Sequence, residues 1–130
     1  MSRRDELRSP LKRVRGYGSA HDGTHHFWVQ RLTAVALLPL LVWLVWSVAA
    51  LAGSSHAEFT AWVARPFNAV ALVITLVALF WHSMLGLQVV IEDYVHSAPL
   101  KLGTLIALKF AHVVLGAVAV YSVLQIGLGG

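Results

Sequence analysis

The sequence contains no cysteine. Disulfides, thiolate zinc sites, iron–sulfur ligation and covalent haem attachment through a Cys-x-x-Cys-His motif are therefore excluded for this chain. Charge is scarce as well. Asp, Glu, Lys and Arg together make 12% of the 130 residues, against roughly 25% in a soluble domain. None of the acidic residues lies within the long apolar runs, so the mid-span carboxylate expected of a small transporter is missing. What fills the chain instead is apolar: 58% of residues are hydrophobic. A chain of this length forms one domain, and one this apolar lacks the polar surface to cover itself in water. A disordered tail, a nucleic-acid-binding module and an ordinary soluble enzyme are excluded, and the expected solvent is lipid.

Three stretches carry no Asp, Glu, Lys or Arg: Leu32 to Ala57, Pro66 to Ile91 and Phe110 to Gly130. Each reaches the roughly 20 residues that a spanning helix needs. In hydrocarbon the backbone must satisfy itself within the segment, so these are helices. The sequence predicts spans near Thr33–Leu51, Phe67–Ile91 and Leu102–Gln125. Gly53-Ser54-Ser55 ends the first. Arg65-Pro66 opens the second, with Pro in the first turn, where no amide donor is needed. Ser97-Ala98-Pro99 separates the second from the third. Pro39 lies inside the first span, where it favours a kink. Trp28 and Trp62 fall at the expected membrane interfaces. The fold class is thus all-α, a membrane protein with three transmembrane helices, which the resemblance given below makes part of a heteromeric helix bundle. Residues 1–20 form a basic cytoplasmic tail and residues 21–130 the membrane domain.

The net charge of +4 is distributed unevenly. Of the ten basic residues, only Arg65 falls on the side opposite the amino terminus. The positive-inside rule then places the amino terminus in the cytoplasm and the carboxyl terminus outside. The first apolar run is too long, and the region before it too extended, for a cleaved signal peptide. Asp5 and Glu6 fit an acid-poor transit peptide badly, which favours the bacterial inner membrane over the mitochondrial one.

With seven His and no cysteine, histidine is the candidate ligand for any metal or haem. Two lie at depth within the spans, His82 and His112. Ionisable groups there are costly and point to function, although a histidine can also serve only to hydrogen-bond a neighbouring helix. At about 100° per residue, His82, Gly86, Val89 and Asp93 share one helical face. Gly86 removes bulk one turn from the imidazole, as a flat macrocycle or a close helix neighbour requires. Tyr94 lies about 18 Å along the axis from His82; a tyrosine at that depth suits either an interfacial belt or a hydrogen bond to a quinone carbonyl. His82 and His112 stand at similar depth on antiparallel spans, a spacing that permits one chain to supply two axial ligands.

The segment His25-His26-Phe27-Trp28-Val29-Gln30-Arg31-Leu32-Thr33-Ala34 and the segment His82-Ser83-Met84-Leu85-Gly86-Leu87-Gln88-Val89-Val90-Ile91-Glu92-Asp93-Tyr94-Val95, set in three spans, resemble the small hydrophobic anchor subunits of succinate dehydrogenase. The resemblance runs from about residue 21 to residue 126, and the His-x-x-x-Gly-x-x-x-x-x-x-Asp-Tyr pattern is its specific part. It implies a subunit of a succinate:quinone oxidoreductase, not catalytic alone. The implied partners are the cytochrome b556 subunit, the iron–sulfur subunit, the flavoprotein subunit and membrane lipid, with no nucleic acid. It implies that His82 is an axial ligand of a haem b shared with the cytochrome subunit. Tyr94 and Asp93 fall on the ubiquinone site, and Arg31 and His25 near the haem propionates. His112 receives no role from it. The competing readings are a fumarate reductase anchor and a haem-free structural anchor.

Overall fold

The computed structural model describes residues 21–129, as four helices and no strand. They are α1 (His21–Ala50), α2 (His56–Val63), α3 (Pro66–Tyr94) and α4 (Ala98–Gly127). The tail of residues 1–20 lies outside the described residues. Three of the helices are long and apolar enough to cross a membrane, with mean hydropathies of 2.2, 2.1 and 1.9. The chain is a multi-pass membrane protein.

The ends of the helices follow local chemistry. Ser97 caps α4 in an extended conformation, and Pro99 sits in its first turn, the place where proline's missing amide costs nothing. Arg65 plays the same part for α3, with Pro66 behind it. Gly53, at φ +84, takes the left-handed conformation that closes α1, a conformation that glycine alone adopts without a steric cost. Helix α1 runs through Pro39 without interruption.

Two features depart from the expected spans. Helix α1 starts at His21 rather than near Thr33, because hydropathy marks the slab of lipid while the helix itself overshoots into the interface. The other is α2, an eight-residue helix between the first two spans. Its start is a capping box. The Ser55 amide donates to Glu58 Oε2 at 2.7 Å, and the Glu58 amide donates back to Ser55 Oγ at 3.3 Å. The backbone bond from Ser55, then the one from its hydroxyl, holds the Glu58 carboxyl below its ordinary range.

The spanning helices lie in a row. Helix α3 packs against both α1 and α4, whereas α1 and α4 make no contact with each other. Close approach to α4 comes from small residues: a Cβ built on Gly116 would sit 3.4 Å from the Phe80 ring, and one on Gly127 3.3 Å from Ala69 Cβ. Small residues let helices pack where lipid removes the hydrophobic drive. Little is buried. Leu37, Val63, Ala71 and Leu85 are the buried apolar side chains among the described residues, and Ser47, Asn68 and Thr75 the buried polar ones. Large apolar groups such as Trp46 (78% exposed) and Val42 (71%) point outward. An exterior this apolar differs from that of a water-soluble domain and follows from a hydrocarbon solvent.

The end of the bundle that carries α2 is held by aromatic side chains. Trp43 stacks on Trp62 with centroids 5.7 Å apart, and Phe67 meets Trp43 edge-on at 6.2 Å. The buried Asn68 donates from Nδ2 to the Trp62 carbonyl at 2.8 Å. Trp62 therefore pins α2 to the bundle, beyond the interfacial position expected for it.

Candidate functional site

Helices α1 and α3 run antiparallel, so their residues meet in steps of one turn. Thr33 stands opposite His82, with Thr33 Oγ1 3.1 Å from His82 Nδ1. One turn towards the amino terminus of α1, Gln30 stands opposite Gly86; a Cβ on Gly86 would meet Gln30 Nε2 at 3.8 Å. That is ordinary contact, so this pair of helices does not itself require glycine at residue 86. The clearance Gly86 provides opens instead onto a cleft.

The cleft measures about 600 Å³ and lies between the first turns of α1 and the last turns of α3. Its walls mix apolar groups (Phe27, Leu85, Val89) with polar ones (His26, Gln30, Arg31, Gln88, Glu92). Gln30 Oε1 is buried there without a hydrogen-bond partner among the described residues, and a buried acceptor left open is uncommon. The Arg31 guanidinium lies 5.1 Å from the Phe27 ring centroid, a cation–π contact that holds it at the cleft wall. Glu92 accepts from Gln88 Nε2 at 2.8 Å, and its carbonyl accepts from Lys101 Nζ at 3.0 Å. That second bond ties the end of α3 to the start of α4.

The two deep histidines differ sharply. His112 Nδ1 lies 2.9 Å from the Leu108 carbonyl, and Nε2 lies 3.1 Å from Ser83 Oγ. Its ring meets Phe80 edge-on at 6.0 Å. Both nitrogens are engaged within the chain, so His112 has none to offer a ligand and serves to join α4 to α3. His82 uses only Nδ1, on Thr33. Its Nε2 has no partner among the described residues.

The residues singled out from the sequence do not converge on one point of this chain. Arg31 lines the cleft, but His25 is exposed beside His26, and it is His26 that enters the wall. Asp93 and Tyr94 end α3 outside the cleft; Tyr94 is 78% exposed. Glu92, the residue before Asp93, does line it. Sequence reading also passed over Gln30 and Thr33. Their signal was spacing: His26, Gln30 and Thr33 fall at i, i+4 and i+7, one face of a helix that had been expected to begin only at Thr33. Among the described residues no three His, Cys, Asp or Glu side chains gather to hold a metal ion.

Comparison with known proteins places these features in a family. The succinate dehydrogenase/fumarate reductase transmembrane subunit family matches residues 5–122. The chain is similar to the succinate dehydrogenase hydrophobic membrane anchor subunit of Rickettsia bellii (strain RML369-C), 35% identical over 105 residues, covering 80% of this chain and 83% of the relative. To the subunit of the same name from Paracoccus denitrificans it is 33% identical over 121 residues, covering 93% of each. The succinate dehydrogenase membrane anchor subunit of Reclinomonas americana is 33% identical over 90 residues, covering 67% of this chain and 75% of that one. By the extent of these matches, the chain belongs to the succinate dehydrogenase/fumarate reductase transmembrane subunit family.

Proposed function

We propose that this chain anchors a succinate dehydrogenase in the membrane, contributing one axial ligand of haem b and part of the pocket in which ubiquinone is reduced. The observation that carries the reading is the state of His82: one ring nitrogen held by Thr33, the other without a partner among the described residues. An iron ligand needs that arrangement. The chemistry around it suits the group. Gly86 leaves open space one turn away, and Arg31 and His26 supply donors at the cytoplasmic end for carboxylates. The second ligand falls to the cytochrome b556 subunit, since His112 is fully engaged.

The mechanism assigned to this chain is one of binding and orientation. Succinate is oxidised in the flavoprotein subunit, and its electrons pass through the iron–sulfur subunit to quinone. When bound, haem b would supply a one-electron store, and on this chain His82 would hold it. Tyr94 carries a hydroxyl with no partner among the described residues. It donates to a quinone oxygen as negative charge builds there during reduction. Asp93 beside it orients the tyrosine and the quinone head. Their exposure fits a pocket completed by other subunits rather than enclosed by this chain. The excess of basic residues around the first span and the α3–α4 turn favours a cytoplasmic amino terminus in a bacterial inner membrane.

The test is a reduced-minus-oxidised visible spectrum of the membrane complex purified through this subunit, wild type beside His82→Ala. A b-type band that the substitution weakens or shifts supports the reading. A wild-type complex without a haem band removes haem from it and returns His82 to a packing role.

A further inference from the structure

We propose that Thr33 is the positioning residue of the haem site: its hydroxyl fixes the tautomer and the plane of the His82 ring, so that Nε2 presents a lone pair to iron. The inference rests on the haem reading above and concerns only groups of this chain.

The argument is one of counting protons. Thr33 Oγ1 has three neighbours: the Val29 carbonyl at 2.8 Å, the Gln30 carbonyl at 3.1 Å and His82 Nδ1 at 3.1 Å. The two carbonyls can only accept. The hydroxyl has one proton, and the shortest contact directs it to Val29. The Oγ1 lone pairs then face Nδ1, which must be the protonated nitrogen to complete the bond. Nε2 is left as the basic nitrogen. The opposite tautomer places an N–H on Nε2, where no acceptor stands among the described residues, and an orphaned N–H in an apolar setting is the costlier state. The ring is thus set for coordination before any ligand arrives.

Rotation is fixed as well. Thr33 is β-branched and its χ1 is restricted in a helix, and its hydroxyl is anchored to the turn beneath it. A ring hydrogen-bonded to such a group cannot swing about χ2 without losing the bond. An N–H donating to oxygen also raises the basicity of the opposite nitrogen, which favours the ferric over the ferrous state of a bound iron.

The experiment uses the whole complex, purified from membranes, with wild type, Thr33→Val, Thr33→Ala, Thr33→Ser and His82→Ala compared. Haem content per complex, the rate of haem loss to an apoprotein acceptor and the haem midpoint potential are measured. Val keeps the shape and loses the hydroxyl; Ala loses both and introduces no clash. The expected result is a faster haem loss, about 10-fold or more, and a higher midpoint potential in Val and Ala, with Ser close to wild type. Wild-type potential and haem retention in Val or Ala overturn the proposal. So does a Ser variant as disturbed as Val, because packing would then explain the loss. A His82→Ala complex with an unchanged haem spectrum overturns the haem reading itself, a result separate from either.

Discussion

The two ends of the bundle solve the same problem in opposite ways. At the end that carries α2, Trp62 stacks on Trp43, Phe67 meets Trp43 edge-on, Asn68 donates to the Trp62 carbonyl, and Ser55 and Glu58 cap each other. The chain closes that end with its own groups. From His82 to the opposite end, His82 Nε2 and the buried Gln30 Oε1 have no partner among the described residues, and Tyr94 is exposed. The difference teaches where the chain is finished and where it waits for others. Self-sufficiency marks structure, and unmet hydrogen-bonding capacity marks the site.

The sharpest way to break the contrast is to treat the two deep histidines alike. His82→Ala is expected to remove most of the haem absorbance, whereas His112→Ala keeps the band and costs about 0.5–2 kcal/mol of stability. Visible spectra and thermal melts of the purified complex separate the two. Equal loss of haem from both variants would put the ligand assignment in error. Next in size, Tyr94→Phe is expected to slow quinone reduction by about 10-fold or more while the complex assembles normally. Normal turnover in that variant, measured with succinate and a soluble quinone, would leave Tyr94 as a belt residue.

The end that carries α2 should respond only in stability. Asn68→Ala leaves the Trp62 carbonyl with only the longer bond from the Arg65 amide at 3.3 Å and is expected to cost about 1 kcal/mol, with the quinone-reduction rate unchanged; a changed rate would show that the two ends are coupled. The smallest effect concerns pH. Glu58 has its carboxyl held below the ordinary range by Ser55, so its contribution is present above the unfolded value. It is lost as pH falls through the folded one. Glu58→Gln should therefore lower stability slightly near neutral pH and cease to matter in acid. A difference from wild type that persists in acid would assign the effect to something other than the Glu58 charge.

Much of this architecture could be read from the residues. Charge-free length gave three spans, and Arg65-Pro66 and Ser97-Ala98-Pro99 marked where two of them open. Helix α2 was missed although Ser55 and Glu58 stand three apart, the spacing of a capping box, because Gly53-Ser54-Ser55 was taken only as a break. The site was less legible than the fold. His82, Gly86 and Val89 share a face by periodicity, but hydropathy sets no register between helices. Thr33 and Gln30 could not be paired with them until α1 and α3 were laid side by side. Nor could the sequence show that His26 would line the cleft.

The absence of contact between α1 and α4 has a thermodynamic consequence. The chain is two seams sharing one helix, α1 with α3 and α3 with α4, and no third seam closes the loop. Strain introduced along one has no packed route to the other except through the α3 backbone and the few residues of α2. Substitutions in different seams, such as Thr33→Val and Gly116→Ala, should then combine with nearly additive free energies, and a double-mutant cycle across α3 would read as two small proteins rather than one.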